Sequence, residues 1–306
     1  MKTETPVISV VIPSWNTRDY LKACLDSLEA TPKPETEVII VENGSSDGSF
    51  EMIESEFPDI QLIRNERNEG FAVACNQGMR VARGEYVLLL NTDTEIYDDG
   101  LEAMLRFLQE NEDYGLVSPR LVHMDGCTQR TVHAFPNMAT PFFFGTPIER
   151  WFPESKEMRR YFMRDWSQES SADIDQPPAA CVLIRQAVLD QVGLFDEEFW
   201  LFYNDVDLSK RIAAAGWKSR YLADVRVLHH VGASTKKFAG FVPEWQKNRL
   251  AYYRKHHGFG AGAWIKCCTS MTFFDWALTQ LWSRLRRKPA ENIGPMWKIY
   301  WGFVRS

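Results

Sequence analysis

Short apolar runs alternate with helix-length segments in the first third of the chain. Residues 7–13, 37–42, 60–64 and 86–90 are mostly apolar or β-branched, which is typical of strands buried within a sheet. The segments between these runs place apolar residues three or four positions apart, as amphipathic helices do. This alternation predicts an α/β fold with a mostly parallel central sheet flanked by helices.

The run at residues 86–90 ends abruptly in an acidic segment that contains Asp93 and Glu95. Ligands of open parallel sheets bind just beyond the carboxyl ends of the strands, where both carboxylates would lie. Two carboxylates one residue apart can share a hard divalent cation, and that cation can hold a diphosphate. A solvated acidic turn is the alternative that this short segment leaves open when it is taken alone.

Two earlier strands end in loops that suit a nucleotide, at residues 13–16 and 42–45. The second loop is rich in glycine and small polar side chains. It lacks both the G-x-G-x-x-G pattern of dinucleotide-binding sites and the lysine of a P-loop, which disfavours a dehydrogenase and a kinase-like NTPase. Ordinary strand-to-helix turns would also explain either loop by itself.

Composition narrows the functional classes further. The net charge of -6 argues against a general nucleic-acid binder, since such proteins are usually basic. The six cysteines are scattered and form no C-x-x-C pair, so we expect reduced thiols in a cytosol rather than a zinc site or a disulfide framework. Residues 1–6 hold no signal-peptide core, and no run of eighteen apolar residues occurs, so we expect a cytoplasmic protein with no membrane-spanning helix.

Four segments, in this order, resemble the motifs of glycosyltransferase family 2, and within it the rhamnosyltransferase-like branch. Their sequences are VVIPSWN at residues 10–16, VENGSSDG at 41–48, RNERNEGFA at 64–72 and LLNTD at 89–93. The resemblance extends from about residue 7 to about residue 258, which is most of the chain. It implies a GT-A fold, which is Rossmann-like, together with a nucleotide-sugar donor and a divalent cation, Mg²⁺ or Mn²⁺.

The resemblance also implies which residues bind the donor. In the family, the acidic residue that ends the second strand contacts the nucleobase, which gives this role to Glu42, where the family usually has aspartate. Thr92 stands where the family often has proline. The donor-binding residues implied in this way are Pro13, Ser14, Asn16, Glu42, Asn43, Asn68, Gly70, Asn91, Thr92 and Asp93.

Residues 195–207, FDEEFWLFYNDVD, resemble the family's Phe-Asp-Glu … Glu-Asp-x-Asp block, in which the second residue of the Glu-Asp-x-Asp part is the general base of sugar transfer. That position is Asp205, and Asn204 stands where the family usually has an acid. A carboxylate at the edge of an aromatic-walled pocket suits this role, because partial desolvation raises its pKa. Acidic residues at a helix start often only complement the helix dipole, which remains the alternative. The candidate acceptor-binding residues are Trp200, Asn204 and Asp207.

Residues 229–234, HHVGAS, resemble the family's His-x-x-Gly-x-Ser motif, whose histidine is the protein's third metal ligand. The spacing selects His229, with His230 as the alternative. The resemblance therefore implies a Mg²⁺ or Mn²⁺ site formed by Asp93, Glu95 and His229, which the donor diphosphate completes.

We predict a catalytic domain at residues 1–240 and a C-terminal helical extension at residues 241–306. Residues 133–178 form an irregular, aromatic-rich insert, which can line the acceptor site or simply pack on the core. Residues 264–285 have the pattern of an amphipathic helix with a basic tail. This helix can lie on the inner face of the cell membrane, or it can pack on the catalytic domain or on a second subunit of a homodimer.

The expected activity is a metal-dependent, inverting transfer of a sugar from a nucleoside-diphosphate sugar to a hydroxyl group. The acceptor class is a glycan or a lipid-linked saccharide in cell-surface polysaccharide synthesis, and rhamnose is the sugar that the resemblance implies. Two alternatives remain open at this point. One is a nucleotidyltransferase, which shares the sheet and the metal requirement, and the other is a non-catalytic sugar- or lipid-binding scaffold.

Overall fold

The computed structural model describes residues 5–232, 241–289 and 291–305. The chain divides into two compact units. Unit 1 comprises Met1–His133 and Trp166–Ala239, and unit 2 comprises Ala134–Asp165 and Gly240–Ser306. Much of the predicted insert thus belongs to the same unit as the C-terminal helices. The predicted domain boundary at residue 240 borders residues 233–240, which lie outside the described residues, and it stays a prediction.

Unit 1 is built on one mixed sheet. Its strands are β1 (Ile8–Ser14), β2 (Thr36–Asn43), β3 (Gln61–Asn65), β4 (Tyr86–Leu90), β5 (Thr94–Ile96), β6 (Tyr114–Val122), β7 (Ala172–Asp173), β8 (Cys181–Arg185) and β9 (Lys218–His229). Their order is β3-β2-β1-β4-β8-β6-β9-β5, and β7 pairs with β9. The strands β3, β2, β1 and β4 are mutually parallel, whereas β8 is antiparallel to both β4 and β6.

Helices cover both faces of this sheet. In unit 1 they are α1 (Arg18–Ala30), α2 (Ser49–Glu56), α3 (Phe71–Val81), α4 (Gly100–Glu110), α8 (Gln186–Val192) and α9 (Asn204–Ala214). Along β4, Leu88 and Leu90 belong to one apolar cluster while Val87 and Leu89 belong to another. Side chains of successive strand residues point to opposite faces, so this strand is buried on both sides, as its apolar run predicts.

The strand β9 is longer than the sequence pattern indicates. Two short strands are expected at residues 220–222 and 225–228, but a single strand spans Lys218–His229. Its pairing with β6 shifts register after the pair Pro119 and Leu222, so residues 223–225 form an irregularity within the strand. The strand continues because β5 and β7 also pair with it, and it carries His229 to the end of β4.

Unit 2 is helical. Its elements are α5 (Thr140–Phe143), α6 (Ile148–Trp151), α7 (Lys156–Tyr161), α10 (Phe241–His257), α11 (Phe259–Leu285) and α12 (Ile293–Arg305). The predicted irregular insert therefore contains three short helices. Among the described residues, none of the helices is long and apolar enough to cross a bilayer. The predicted cytoplasmic location and homodimer stay predictions.

Candidate active site

Asp93 lies in a tight turn that follows β4 and approaches the last residues of β9. The backbone amide of Asn91 donates to the Ala180 carbonyl (2.8 Å), and the Asn91 carbonyl accepts from the Thr94 hydroxyl (2.6 Å). The amide of His230 then donates to the Asp93 carbonyl at 2.8 Å. Because both ends of the turn are held by hydrogen bonds to neighbouring segments, the Asp93 side chain is brought to the last residues of β9.

Asp93 and His229 form an acid–imidazole pair. The Oδ1 of Asp93 lies 3.6 Å from the Nε2 of His229, and the two side chains are 10% and 12% exposed. This separation is longer than a hydrogen bond, so the carboxylate and the imidazole face each other but are not bonded to each other. One oxygen and one nitrogen donor in this arrangement fit a divalent cation such as Mg²⁺ or Mn²⁺.

Gln129 fixes the orientation of this imidazole, and the sequence analysis missed it. Its Nε2 donates to the carbonyls of Val122 (3.1 Å) and His229 (2.6 Å), which determines how the amide is turned. Its Oε1 lies 2.8 Å from the Nδ1 of His229. An amide oxygen only accepts, so Nδ1 carries the proton and the lone pair lies on Nε2, on the side of Asp93.

Glu95 and His230 form a second acid–imidazole pair. The Oε1 of Glu95 lies 2.7 Å from the Nε2 of His230, and the Tyr97 hydroxyl bonds to Oε2. Burial raises the pKa of the Glu95 carboxyl, but the bonds from Tyr97 and His230 outweigh it and hold that pKa below its usual value. Burial and Glu95 raise the pKa of Tyr97 to about 12.

The two pairs do not merge into one cluster. Across residues 5–232, 241–289 and 291–305, no three His, Cys, Asp or Glu side chains are placed to hold a metal ion by themselves. The structure thus brings His229 to Asp93 and places Glu95 with His230. Ala233 and Ser234 of the HHVGAS segment lie outside the described residues, and the role of Glu95 as a ligand stays a prediction.

Glu42 is turned onto its own loop. It is 1% exposed, and its carboxylate accepts from the backbone amides of Ser45 (2.7 Å) and Gly44 (3.3 Å). Gly44 has φ +72, and a Cβ at this position would lie 2.5 Å from the Cα of Arg67. The loop after β2 is therefore held from within by Glu42 and packed against the loop after β3. The contact of Glu42 with a nucleobase stays a prediction.

Asn16 connects the loops that follow β1 and β2. Its backbone amide donates to the Ser45 hydroxyl (2.9 Å), and its side-chain oxygen accepts from the amide of Ser46 (2.8 Å). Ser14 is buried, and Pro13 pairs with Val41 across the two strands. Four of the predicted donor-binding residues, Pro13, Ser14, Asn16 and Glu42, accordingly lie at the carboxyl ends of adjacent strands.

Amide side chains hold the loop that precedes α3. The Nδ2 of Asn43 donates to the Oδ1 of Asn68 (3.0 Å), and its Oδ1 accepts from Asn65 (2.9 Å). The amide of Gly70 in turn donates to the Oδ1 of Asn68 (2.9 Å). The predicted donor-binding residues Asn43, Asn68 and Gly70 thus contact one another, and the polar atoms of the two asparagines fix the shape of this loop.

Gly70 also joins this loop to the segment that contains Trp200. Gly70 has φ +100, and a Cβ here would lie 2.4 Å from the Cδ1 of Trp200. The amide of Phe71 donates to the Trp200 carbonyl at 2.8 Å. A candidate acceptor residue therefore packs directly on a candidate donor loop, and only glycine leaves room for its indole ring.

Asp205 lies in the first turn of α9 and is partly buried. It lines a small, mostly apolar cavity together with Leu89 and Phe195. Burial raises the pKa of the Asp205 carboxyl, although it also accepts hydrogen bonds from the amides of Val206 and Ala179, which oppose the shift. Ala180, which follows Ala179 in sequence, accepts the hydrogen bond from the Asn91 amide. Asp205 and the turn that contains Asp93 therefore lie at the same end of β4.

Asn204 and Asp207, on either side of Asp205, are engaged in hydrogen bonds at the start of α9. The Nδ2 of Asn204 donates to the Leu201 carbonyl (3.1 Å), and its Oδ1 accepts from the amide of Asp205 (2.8 Å). Asp207 is fully buried and binds the Nε of Arg211 at 2.8 Å. These contacts shape the start of the helix, while the roles of both residues toward an acceptor stay predictions.

Comparisons with known proteins bear on this site. A family model described as Glycosyl transferase family 2 matches residues 9–190. The chain is 26% identical over 250 residues to the N-acetylglucosaminyl-diphospho-decaprenol L-rhamnosyltransferase of Mycobacterium tuberculosis, over 76% of this chain and 78% of that protein. It is 29% identical to the O-antigen biosynthesis protein RfbC of Myxococcus xanthus, over 78% of this chain but only 18% of that protein.

A solved structure supports the fold. The mannosyltransferase PcManGT from Pyrobaculum calidifontis, in complex with GDP-Man and Mn²⁺, superposes with a TM-score of 0.56 at 15% identity. The match covers 99% of this chain and 86% of that one. The predicted GT-A fold is confirmed by this likeness together with the mixed sheet and its flanking helices.

Proposed function

Because the chain belongs to glycosyltransferase family 2, we propose that it transfers a sugar from a nucleoside-diphosphate sugar to a hydroxyl group of a glycan or lipid-linked saccharide. The relative from M. tuberculosis is named for the transfer of L-rhamnose and for a diphospho-decaprenol-linked sugar. This name supports rhamnose as the transferred sugar and a lipid-linked saccharide as the acceptor here. Family membership disfavours the two alternatives, a nucleotidyltransferase and a non-catalytic scaffold.

The observation that carries the proposal is the Asp93–His229 pair with its support from Gln129. The carboxylate of Asp93 and the Nε2 of His229 would hold Mg²⁺ or Mn²⁺, and Gln129 keeps the imidazole in the tautomer that can ligate. A cation held there would neutralise the charge that develops on the departing nucleoside diphosphate. The chain's own contribution is to hold the two donors apart and oriented.

The donor would bind at the carboxyl ends of β1, β2 and β4. The loops after β1 and β2 are locked by Asn16 and Glu42, and the loop after β3 is locked by Asn43 and Asn68. Rigid loops place backbone amides and small side chains around a nucleotide at low entropic cost, because few groups have to be ordered on binding. Asn91 and Thr92, in the turn that leads to Asp93, would then border the diphosphate.

Asp205 would accept the proton of the acceptor hydroxyl at a carboxylate oxygen. Its raised pKa makes it a stronger base than an exposed aspartate, and the amides of Val206 and Ala179 orient the carboxylate. Trp200 would form a wall for the acceptor. We propose a single in-line displacement, which inverts the configuration at the anomeric carbon.

The test is the Asp205→Asn variant, assayed with purified protein, Mn²⁺, a panel of nucleotide-sugars and a lipid-linked saccharide. We expect kcat to fall about 1,000-fold, within the range that general-base catalysis contributes. Mn²⁺ affinity should not change. Asp190→Asn, on the exposed surface of α8, is the matched control and should retain full turnover.

Stability provides a second readout of the same variant. Folding favours the protonated carboxyl of Asp205, so the ionised form lowers stability as the pH rises through the raised pKa. Asparagine carries no charge, so the free energy of unfolding at pH 7 should stay equal or rise. Normal turnover in Asp205→Asn would remove this residue as the base, and release of free diphosphate by the wild type would contradict glycosyl transfer.

A further inference from the structure

Charge is divided unequally along the chain. Residues 241–306 contain eleven Lys and Arg against three Asp and Glu, a net charge of +8. The preceding 240 residues contain 24 basic and 38 acidic residues, a net charge of -14. An otherwise acidic chain therefore carries a strongly basic helical segment after residue 240, which is the charge distribution expected for contact with an anionic partner.

One face of α11 carries an exposed apolar stripe. Its members are spaced four, three, one and three residues apart, which aligns them along a helix. They are between 48% and 78% exposed, although neighbouring residues of the same helix such as Cys268 and Phe273 are buried. The apolar stripe consists of Phe274, Leu278, Leu281, Trp282 and Leu285.

A basic turn lies within and just beyond the last turn of α11. It consists of Arg284, Arg286, Arg287 and Lys288, all of them exposed. The guanidinium of Arg286 lies over the indole of Trp282, with 4.5 Å from Cζ to the ring centroid. The apolar stripe and the basic turn are thus continuous, with an aromatic residue at the junction.

The helix α12 repeats these features. None of its residues, Ile293–Arg305, is buried. Trp297 and Trp301 are 40% and 42% exposed, and the guanidinium of Arg305 lies 5.6 Å from the Trp301 ring. Tryptophan and arginine of this kind are typical of segments at the boundary between lipid headgroups and acyl chains.

A cavity in unit 2 has a matching character. It measures about 550 Å³ and lies among α10, α11 and α12. Phe273, Trp276 and Phe303 line it with apolar surface, and Lys247 and Lys298 are also among its lining residues. This part of the molecule therefore offers further apolar surface that suits hydrocarbon.

We infer that the apolar stripe and the basic turn bind the surface of an anionic phospholipid bilayer. The leucines, Phe274 and Trp282 would enter the acyl boundary, while the basic turn would contact phosphate groups. A second copy of the chain is a poorer partner, because a parallel pairing of two stripes would bring two copies of the basic turn together, and the stripe itself offers no acidic residue to meet the basic turn of another copy. This binding does not depend on the transfer reaction.

The test measures binding of the full chain to sedimented vesicles. Vesicles of phosphatidylcholine with about 30% phosphatidylglycerol supply the anionic surface, and pure phosphatidylcholine vesicles are the neutral comparison. We expect binding to the anionic vesicles to exceed binding to the neutral ones and to weaken with added salt, because salt screens the basic turn.

Two variants separate the contributions of the surface. Leu278→Glu/Leu285→Glu should weaken binding by at least about 100-fold, since two apolar side chains no longer enter the bilayer. Arg286→Gln/Arg287→Gln should weaken binding to anionic vesicles about 30-fold and leave binding to neutral vesicles unchanged. All four positions are exposed, so we expect the thermal midpoints to match the wild type.

Matched controls change exposed residues elsewhere. Met124→Glu replaces a side chain that is 76% exposed in unit 1, and Arg106→Gln/Lys156→Gln removes the same charge as the arginine variant. Both controls should bind vesicles like the wild type. Absence of vesicle binding by the wild type, or equal losses in controls and variants, would overturn the proposal. So would a dimer of the wild type that the leucine variant dissociates without any change in vesicle binding.

Discussion

Two acid–imidazole pairs lie next to each other where β5 begins and β9 ends, and they differ in one respect. Asp93 and His229 face each other at 3.6 Å without a hydrogen bond. Glu95 and His230 are closed on each other at 2.7 Å, and Tyr97 occupies the other carboxylate oxygen. In the first, open pair the carboxylate and the imidazole are not bonded to each other, whereas in the second, closed pair both carboxylate oxygens of Glu95 have hydrogen-bond partners within the protein.

Contacts of the two histidines with residues outside the pairs explain this difference. The Nδ1 of His229 donates a hydrogen bond to the Oε1 of Gln129, which leaves the Nε2 facing Asp93 at 3.6 Å. His230 packs against the Tyr20 ring, with 5.1 Å between ring centroids, while its Nε2 reaches Glu95. A carboxylate and an imidazole therefore bond to each other in one pair and not in the other, because Gln129 and Tyr20 orient the two imidazoles differently. We expect the open pair to dominate cation binding, with Glu95 as a weaker ligand, and the hydrogen bonds of the closed pair to contribute to stability.

The largest expected effect is that of Asp93→Asn. Replacing this charged ligand should weaken Mn²⁺ binding more than about 100-fold, since mutating a residue that only hydrogen-bonds to a metal ligand already lowers metal affinity about 10–100-fold. The unfolding free energy should change little. Mn²⁺ affinity is measured by electron paramagnetic resonance, and stability by urea unfolding.

Glu95→Gln is the matched control for that variant. We expect less than about tenfold loss of Mn²⁺ affinity and a loss of about 2 kcal/mol in unfolding free energy, because hydrogen bonds to a partly buried charge are lost. Equal losses of affinity in the two variants would show that Glu95 binds the cation as strongly as Asp93.

The histidines give the next effect. His229→Asn should weaken Mn²⁺ binding about 100-fold, because the Nε2 lone pair is lost from the open pair. His230→Asn should leave the affinity close to wild type and lower the unfolding free energy by about 1–2 kcal/mol. The reverse pattern in the two titrations would assign the cation to His230 instead.

The smallest effect concerns Gln129. Gln129→Leu should weaken Mn²⁺ binding about tenfold, because the acceptor of the His229 Nδ1 proton is lost. Gln129→Glu keeps that acceptor and should bind Mn²⁺ within about threefold of wild type.

Both Gln129 variants lose the hydrogen bonds that Nε2 donates to the backbone. A purely structural role would therefore lower metal affinity equally in both. Comparing Mn²⁺ titrations with thermal midpoints distinguishes positioning of the imidazole from general loosening of the strand ends.

The parallel part of the sheet could be predicted because its signal is local. The apolar run of β4 is buried on both faces, and the pattern of a buried strand does not depend on its neighbours. The antiparallel placement of β8 between β4 and β6 could not be predicted in this way. Strand pairing is decided by contacts between segments far apart in sequence, and β9 is continuous only because other strands hold it.

The candidate site shows the same division. The resemblance supplied Asp93 and His229 as separate motifs, and the structure brings them together. Gln129 belongs to none of the motifs, and its role arises only because β6 and β9 pair side by side. The buried carboxylate of Glu42, bound to the amides of its own loop, likewise depends on backbone geometry that no spacing rule describes.

The missing side chain of Gly70 has a consequence for changing what this enzyme recognises. The indole of Trp200 fills the space that any larger residue at position 70 would need. With the roles proposed above, a redesigned donor-binding loop at residues 65–70 would have to displace the Trp200 ring, which is proposed to contact the acceptor. Evolution of donor preference and evolution of acceptor preference are therefore mechanically coupled, and libraries that vary residues 65–70 should vary position 200 with them.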